Sequence, residues 1–596
     1  MCRIAGIVAQ RLNLEEDRIK VNLMCDAMKH GGPDDAGIFS AAEANLVFGH
    51  RRLSIIDLSS NGHQPMADID KRAWITFNGE IYNYRELKSE LINAGARFHS
   101  HTDTEVIIQA YLYWGTAAFK KLRGMFTFAI YDVTNVLTYL VRDTTGIKPL
   151  YYYINNGQLS FASEVKAFKT AGLAAEENQD WLIKFLAFGH VPEPDTVLKN
   201  VYGLPKGHFL RWNNKDGTAA ILDYTKPVTN SAYITDIIEA KKQIDSALKM
   251  AIGRQLIADA PIGVFLSGGI DSSLLTLLAA QQKTEQLKTV SIFFDEKKYD
   301  ESIYQQQILR KTKGEKFTHL VKQRDFDEFF PDVLNAMDMP TTDGINTWFI
   351  SKYARQDGLK AVLSGIGADE LFGGYPSFNR IKYIEYLRRV PAPLLKTISH
   401  FVTDPFKKLS FLTCRHPLAD YLFLRGVFAP EDIAEILNCD EGQVQNTLFA
   451  KNDHLYPVAY NKEQASWFET NLYMQNQLLR DTDVMSMSHG LEVRVPFLDE
   501  DFQRIVNRLT PQIRFDDNQP KKILIDTFKD LLPAPVWNRP KMGFSLPLQQ
   551  WMRNHAELSN EGLYRSRKAK RIIRGFKSNT IHWSKAFALY QIQMHA

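Results

Sequence analysis

A multidomain α/β protein is what this sequence predicts, on three observations. The first 210 or so residues run as short alternating β segments joined by turns. From about residue 235, strand-like segments alternate with helical ones. The 596 residues also exceed what one hydrophobic core ordinarily organises.

In chain order, "LVFGHRRLSIID", "AWITFNGEIYN", "MFTFAIYD", "VLTYLVRD" and "LYYYINNGQLSFASE" read as strands. Helical spacing interrupts them at Tyr84–Asn93 and Thr104–Tyr113, and "HFLRWNNKDGTAAILDY" reads as a closing hairpin. A Pro/Ser/Thr/Asn cluster, "TKPVTNSAYITD", marks a linker, which divides the chain into 1–223, a linker at 224–235, and 236–596. Beyond it Ile237, Ile238, Ile244, Leu248 and Ile252 recur at helical spacing, with Thr235 placed to cap the helix. "IGVFLSG", "TVSIFF", "KFTHLV" and "KAVLSG" then alternate with helical stretches, the signature of a parallel sheet with helices on both faces. Residues 380–480 are helical in period.

Composition excludes several classes. Lys plus Arg is 72 against 68 Asp plus Glu, so the net charge of +4 makes no case for a nucleic-acid or membrane partner. No run reaches the ~18 apolar residues of a membrane span, and the first residues lack a signal-peptide apolar core. Cys2, Cys25, Cys414 and Cys439 lie far apart without CxxC spacing, so neither a disulfide framework nor a zinc site is expected. A reducing cytoplasm fits.

Chemistry concentrates in "FLSGGIDSSLL", Phe265–Leu275. A strand, a Ser/Gly turn and a helix place unsatisfied backbone N–H groups at a helix N-terminus, where phosphate oxygens bind. This is not the GxxxxGK[ST] loop, since no lysine follows Gly269. Asp271 would repel a phosphate unless a cation stands between them, so it reads as a Mg²⁺ ligand. Alone, such a turn could merely let a helix pack on a strand. A second loop after a second strand, "KAVLSGIGADELFGGY", adds Ser364, Gly365, Asp369 and Glu370. Two acidic loops at the carboxyl ends of parallel strands are the expected seat of a nucleotide and its metal. At the other end, removal of Met1 would leave Cys2 with a free α-amine, one residue supplying both nucleophile and base.

"MCRIAGIV", "HGGPDDAG", "HRRLSIID", "FNGEIYNYREL", "HTDTEVII", "LRGMFTFAIYD" and "RDTTGIKPLYY" resemble the class II glutamine amidotransferase domain, an N-terminal-nucleophile fold. "SGGIDSS" resembles the pyrophosphate loop of the ATP pyrophosphatases. With "DELFGGY", "GLEVRVPFLD" and "RPKMGFSLP", the chain resembles glutamine-dependent asparagine synthetase from residue 2 to about 550, motifs in family order. The resemblance implies an αββα glutaminase domain joined to a doubly wound parallel-sheet ATP-pyrophosphatase domain with helical additions.

It also implies roles. Cys2 would attack glutamine, with Asn78 and Gly79 as the oxyanion hole. Arg52 would hold the glutamine carboxylate, and Asp103, with Glu80 nearby, its ammonium. Ser267, Gly268, Gly269, Asp271, Ser272, Ser364, Gly365 and Lys541 would bind ATP, Val290 would line the adenine pocket through its backbone, and Asp271 and Asp369 would share Mg²⁺. Glutamine, ATP and aspartate, or another small carboxylate, are the implied partners, and a homodimer is admitted.

Three positions and one segment depart from the family pattern. Gly31 stands where the family reads arginine in RGPD, and Ile366 where it reads glutamate in SGEGxDE. "DMPTTDGINTWFISKYAR" differs from the form expected to face aspartate, and Val484 replaces a basic residue. These changes look more like relatives from bacterial surface-polysaccharide pathways. The leading reading is an ATP- and glutamine-dependent amide-forming ligase with aspartate as its default acceptor; the alternatives are the same chemistry on a uronic acid or other carboxylate, and a non-catalytic glutamine-binding scaffold. Intact Cys2, Asn78, Asp271, Asp369 and Lys541 oppose the third.

Overall fold

The computed structural model describes residues 2–225, 232–283, 287–401, 404–450 and 459–595. Half of the expected linker, residues 226–231, lies outside them.

The amino-terminal part builds two six-stranded antiparallel sheets. One runs Val201–Gly203, Tyr151–Asn155, Gln158–Ala162, Arg3–Ala9, Leu46–Arg52, Asp35–Ala41. The other runs Ala219–Asp223, His208–Asn213, Leu137–Arg142, Gly124–Asp132, Ala73–Ile81, Met66–Ala67. Alternation sends Ile4, Val8, Phe48 and Phe161 of the first against Leu140, Leu210 and Trp212 of the second. The outer faces are covered by helices. Val21, Met24 and Cys25 of Leu14–Ala27 pack on Ala5, Ile7 and Val47. Leu87, Leu91, Val106 and Ile107 of Tyr84–Asn93 and Asp103–Trp114 pack near Ile75, Phe77 and Phe128. The result is four layers, α-β-β-α. The Arg3–Ala9 strand is buried throughout, so it lacks the polar alternation that marks a half-buried strand, and periodicity does not flag it.

The second part opens with the helix Ile237–Gln255. Its cap is Asp236, whose side chain accepts the Glu239 N–H at 2.8 Å, and not Thr235. Ile237 and Ile238 are exposed, whereas Ile244, Leu248 and Ile252 are buried; the buried apolar stripe begins at Ala240, about a turn later than the sequence spacing indicates. Five parallel strands follow in the order Lys316–Leu320, Lys288–Phe293, Ile262–Phe265, Ala361–Leu363, Glu492–Arg494. The chain builds outward from Ile262–Phe265, then returns to its other side, which is the strand order of a doubly wound sheet. The reversal falls between Ile262–Phe265 and Ala361–Leu363, where such sheets bind ligands. The fifth strand lies in "GLEVRVPFLD". Two of its three residues are buried charges, so no apolar pattern announces it. Helices occupy much of 377–468, and an eleven-residue π-helix, Glu469–Leu479, leads into the α-helix Arg480–Met487.

Candidate active sites

Cys2 precedes the central Arg3–Ala9 strand and is 8% exposed. Its backbone N–H donates to Asn78 Oδ1 at 3.1 Å, across the gap between the two sheets. Asn78 is fully buried, and its Nδ2 has no hydrogen-bond partner among the described residues. A buried donor costs free energy unless something accepts from it, so this amide suits an oxygen that gains negative charge. Gly79 follows on the same strand, opposite Phe126. Burial raises the Cys2 thiol above its ordinary value, only partly offset by the Leu53 amide and Arg52. A buried thiol needs a base beside it to become a nucleophile.

Arg52 is held rigidly: Nη1 donates to Ser59 O at 2.8 Å and Nη2 to Asp57 O at 2.5 Å. Thr102 caps the Asp103–Trp114 helix through the Glu105 N–H, which fixes Asp103 at the helix start. Asp103 accepts the Ile81 N–H at 2.9 Å, and burial raises its carboxyl to about 6. Glu80 is committed across the domain boundary, 3.3 Å from Arg494 Nη2. Arg494 also pairs with Glu492 and donates to the Gln255 and Ile257 carbonyls at 2.7 Å each. Thus Glu80 is a structural partner of the second domain as well as a neighbour of Cys2.

The second site lies at the switch point, in a cavity of ≈ 1020 Å³. Ser267 Oγ and Ser272 Oγ are 2.9 Å apart, and the Gly269 N–H donates to Ser267 Oγ at 3.3 Å, which folds the turn over the start of helix Ile270–Gln282. Gly268 has φ +89°, a conformation that favours glycine. A Cβ on Gly365 would stand 2.9 Å from Asp271 Cβ, so only glycine lets the two loops meet. Ser267, Gly269, Asp271, Ser272, Ser364, Gly365, Asp369 and Lys541 all line the cavity. Val290 does not: it is buried within the sheet, and its carbonyl accepts the Leu266 N–H at 2.9 Å.

Lys521 joins the loops. Its Nζ lies 2.5 Å from Asp271 Oδ2 and 2.5 Å from Asp369 Oδ1, and Lys541 Nζ lies 2.7 Å from Asp369 Oδ1. Burial would raise Asp369, but Lys521 and Lys541 prevail and hold it to about 2. No local pattern in the sequence assigns a role to Lys521, or to Arg539, whose Nη2 donates to Gly268 O at 3.0 Å. The only signal for the former is a Lys pair behind Pro520 at a helix start, a pattern common on any surface.

Among the described residues no group of three or more His, Cys, Asp or Glu side chains converges as a ready-made metal cage. Asp271 and Asp369 nevertheless face the cavity together, and Asp271 Oδ1 is buried without a hydrogen-bond partner. Two hard carboxylates fit a Mg²⁺ ion that takes its remaining ligands from phosphate oxygens and water.

Ile366, Asp343, Tyr375 and Tyr473 line the same cavity. Tyr375 donates its hydroxyl to Glu370 Oε1 at 2.7 Å, and burial, with Asp369 adjacent, raises Glu370 to about 7. Arg425 sits 3.8 Å from the Tyr473 ring and 4.4 Å from that of Tyr375, paired to Glu469 at 2.6 Å.

Residues 243–579 match the family model described as asparagine synthase, and residues 1–224 match a glutamine amidotransferase domain. The chain is 32% identical to "Asparagine synthetase [glutamine-hydrolyzing] 1" of Bacillus subtilis, covering 93% of this chain and 88% of that protein. It is 30% identical to a putative asparagine synthetase of Mycobacterium bovis over 88% of this chain and 84% of that one. It is also 27% identical to a protein named amidase chry2 from Gibberella zeae, over 88% and 84% respectively.

Proposed function

Because this chain belongs to the family of glutamine-hydrolysing asparagine synthetases, ATP-dependent ligases with a glutamine amidotransferase domain, we propose that it moves glutamine nitrogen onto a carboxylate other than free aspartate. The observation that carries the acceptor reading is Ile366 in the cavity wall, where the family pattern places a glutamate.

In this reading Cys2 Sγ attacks the glutamine carboxamide carbon, and the thiol proton passes to the Cys2 α-amine, freed by removal of Met1 and oriented by Asn78 Oδ1. Asn78 Nδ2 and the Gly79 N–H stabilise the oxyanion, which collapses to a γ-glutamyl thioester and ammonia. Water then releases glutamate and restores the thiol. Arg52 takes the glutamine carboxylate and Asp103 its ammonium.

At the second site the acceptor carboxylate attacks the α-phosphorus of ATP and pyrophosphate leaves. Ammonia attacks the acyl carbon, AMP departs, and a carboxamide remains. The N-terminus of Ile270–Gln282, Ser267 and Ser272 hold phosphate oxygens, while Lys521 and Lys541 balance their charge. Asp271 and Asp369 would hold Mg²⁺, which when bound screens the phosphates from these carboxylates. Ammonia must cross between the sites out of bulk water, where it would protonate.

The cavity favours a larger acceptor on a second ground: Tyr375 and Tyr473 stand edge to face with centroids 5.8 Å apart, a broad aromatic wall beside Asp343. A uronic acid presents a carboxylate, hydroxyls for Asp343 and an apolar ring face for that wall. Aspartate is the competing acceptor. The test is mass spectrometry of products from a panel of carboxylates with glutamine and ATP, scored with AMP and pyrophosphate. A mass decrease of about one unit, replacing OH by NH₂, identifies the acceptor; efficient asparagine formation decides for aspartate, and no pyrophosphate with any acceptor decides for the scaffold.

A further inference from the structure

Arg3 follows the nucleophile and is fully buried. Its Nε donates to Glu164 Oε1 at 2.6 Å and its Nη1 to Asp483 Oδ2 at 2.9 Å. Glu164 belongs to the same domain, where it also meets His30 Nε2 at 3.0 Å and Lys166 Nζ at 2.7 Å. Asp483 belongs to the other domain, on the Arg480–Met487 helix, and is gripped a second time by Lys148. Burial would raise Asp483, but Arg3 and Lys148 outweigh it and hold the carboxylate below its ordinary range.

Gly31 completes the arrangement. A Cβ there would stand 2.8 Å from Arg3 Cγ and 2.9 Å from Arg3 Nε. A side chain at 31 and the guanidinium of Arg3 therefore compete for one space. Where the family pattern carries arginine at 31, this chain carries glycine, and the cation comes instead from the nucleophile's own strand.

Asp483 follows Thr482, which lines the nucleotide cavity, and Tyr473 and Leu478 line it from the π-helix that runs into the same helix. Between Cys2 and the cavity wall stand one peptide bond, one buried ion pair and one peptide bond. A buried pair cannot exchange a partner for water, so a displacement of one member is passed to the other.

We infer that Arg3 is a positioning residue that transmits occupancy of the cavity to Cys2 through Asp483, a cationic link relocated in this chain from position 31 to position 3. The inference rests on the reading of Cys2 as nucleophile and of the cavity as an ATP site. Linkage makes the effect reciprocal for reversible ligands: a glutamine analogue bound without reaction beside Cys2 changes ATP affinity by the factor with which ATP changes the analogue's affinity.

The experiment uses the full chain and needs no acceptor. Alkylation of Cys2 by 6-diazo-5-oxo-L-norleucine is timed by mass spectrometry with and without Mg-ATP, while ATP binding is measured separately by calorimetry. In the unmodified protein ATP is expected to change the alkylation rate on the order of fivefold or more. Arg3→Met and Asp483→Asn each keep alkylation and ATP binding but lose that dependence, and the exchange Arg3→Gly with Gly31→Arg regains it. The exchange and Asp483→Asn decide the matter if Arg3→Met does not fold. ATP dependence that persists in Asp483→Asn, or that is absent from the unmodified protein although ATP binds and Cys2 reacts, overturns the inference. Failure of Cys2 to react, or of ATP to bind, instead overturns the functional reading and the inference with it.

Discussion

The Cys2 backbone N–H donates to Asn78 Oδ1 at 3.1 Å, and this bond turns the other end of the Asn78 amide into a buried donor with no partner among the described residues. In the proposed reaction one side chain therefore orients Cys2 and presents an N–H for developing charge. Asn78→Ala is expected to lower kcat for glutamine hydrolysis by about 10²–10³, as loss of an oxyanion donor does elsewhere. The kinetic assay should show the loss in kcat, with KM changed much less; a change confined to KM would assign Asn78 to ground-state binding.

Cys2→Ala should abolish glutamine hydrolysis and leave ammonium-driven pyrophosphate release within about twofold, because the cavity is built by other residues. Equal loss of both activities in a folded variant would show that the two half-reactions are not separable.

Lys521 is 5% exposed and bridges Asp271 and Asp369. Lys521→Met leaves two carboxylates facing each other in a buried site. A stability loss of about 3–5 kcal/mol is expected by denaturant unfolding, with pyrophosphate release suppressed and glutamine hydrolysis retained. Asp271→Asn and Asp369→Asn should each suppress pyrophosphate release while sparing glutamine hydrolysis.

Asp103 is raised by burial to about 6, above the ~3.9 of an unfolded chain. The folded state therefore holds this proton more tightly, and ionised Asp103 opposes folding above pH 6, an effect absent below pH 4. Asp103→Asn should raise Tm at pH 7.5 and leave it nearly unchanged at pH 3.5. If the carboxylate holds the glutamine ammonium, KM for glutamine should rise as pH falls through 6, by up to about tenfold per unit, and the variant should lose this dependence.

Ile366 lines the cavity one residue from Gly365, which packs on Asp271. With the family's glutamate absent, an ammonium on free aspartate lacks an ionic partner, a loss of about 1.5–3 kcal/mol if that partner was a charged hydrogen bond. Turnover with aspartate is expected to be weak and to improve in Ile366→Glu. Efficient glutamine-driven asparagine formation by the unmodified protein would overturn this expectation.

Much of the fold was legible because its signals are local. Turn glycines, alternating strands and the helices at residues 84 and 103 follow from short-range sterics and periodicity, which neighbouring residues carry themselves. The buried strands Arg3–Ala9 and Glu492–Arg494 were not legible, since one is apolar on both faces and the other is mostly charged.

By itself the sequence determined the chemistry-bearing turns: Cys2 at the amino end, the Ser267–Ser272 turn after a strand, and the acidic pair Asp369–Glu370 after another. Only the tertiary structure decided which distant charges serve them. Lys521 meets Asp271 across 250 positions, and Arg3 meets Asp483 across 480 while filling the space left by Gly31. A glycine turn carries its conformation within itself, but a lysine or arginine has no role until burial removes water and supplies a carboxylate in its place.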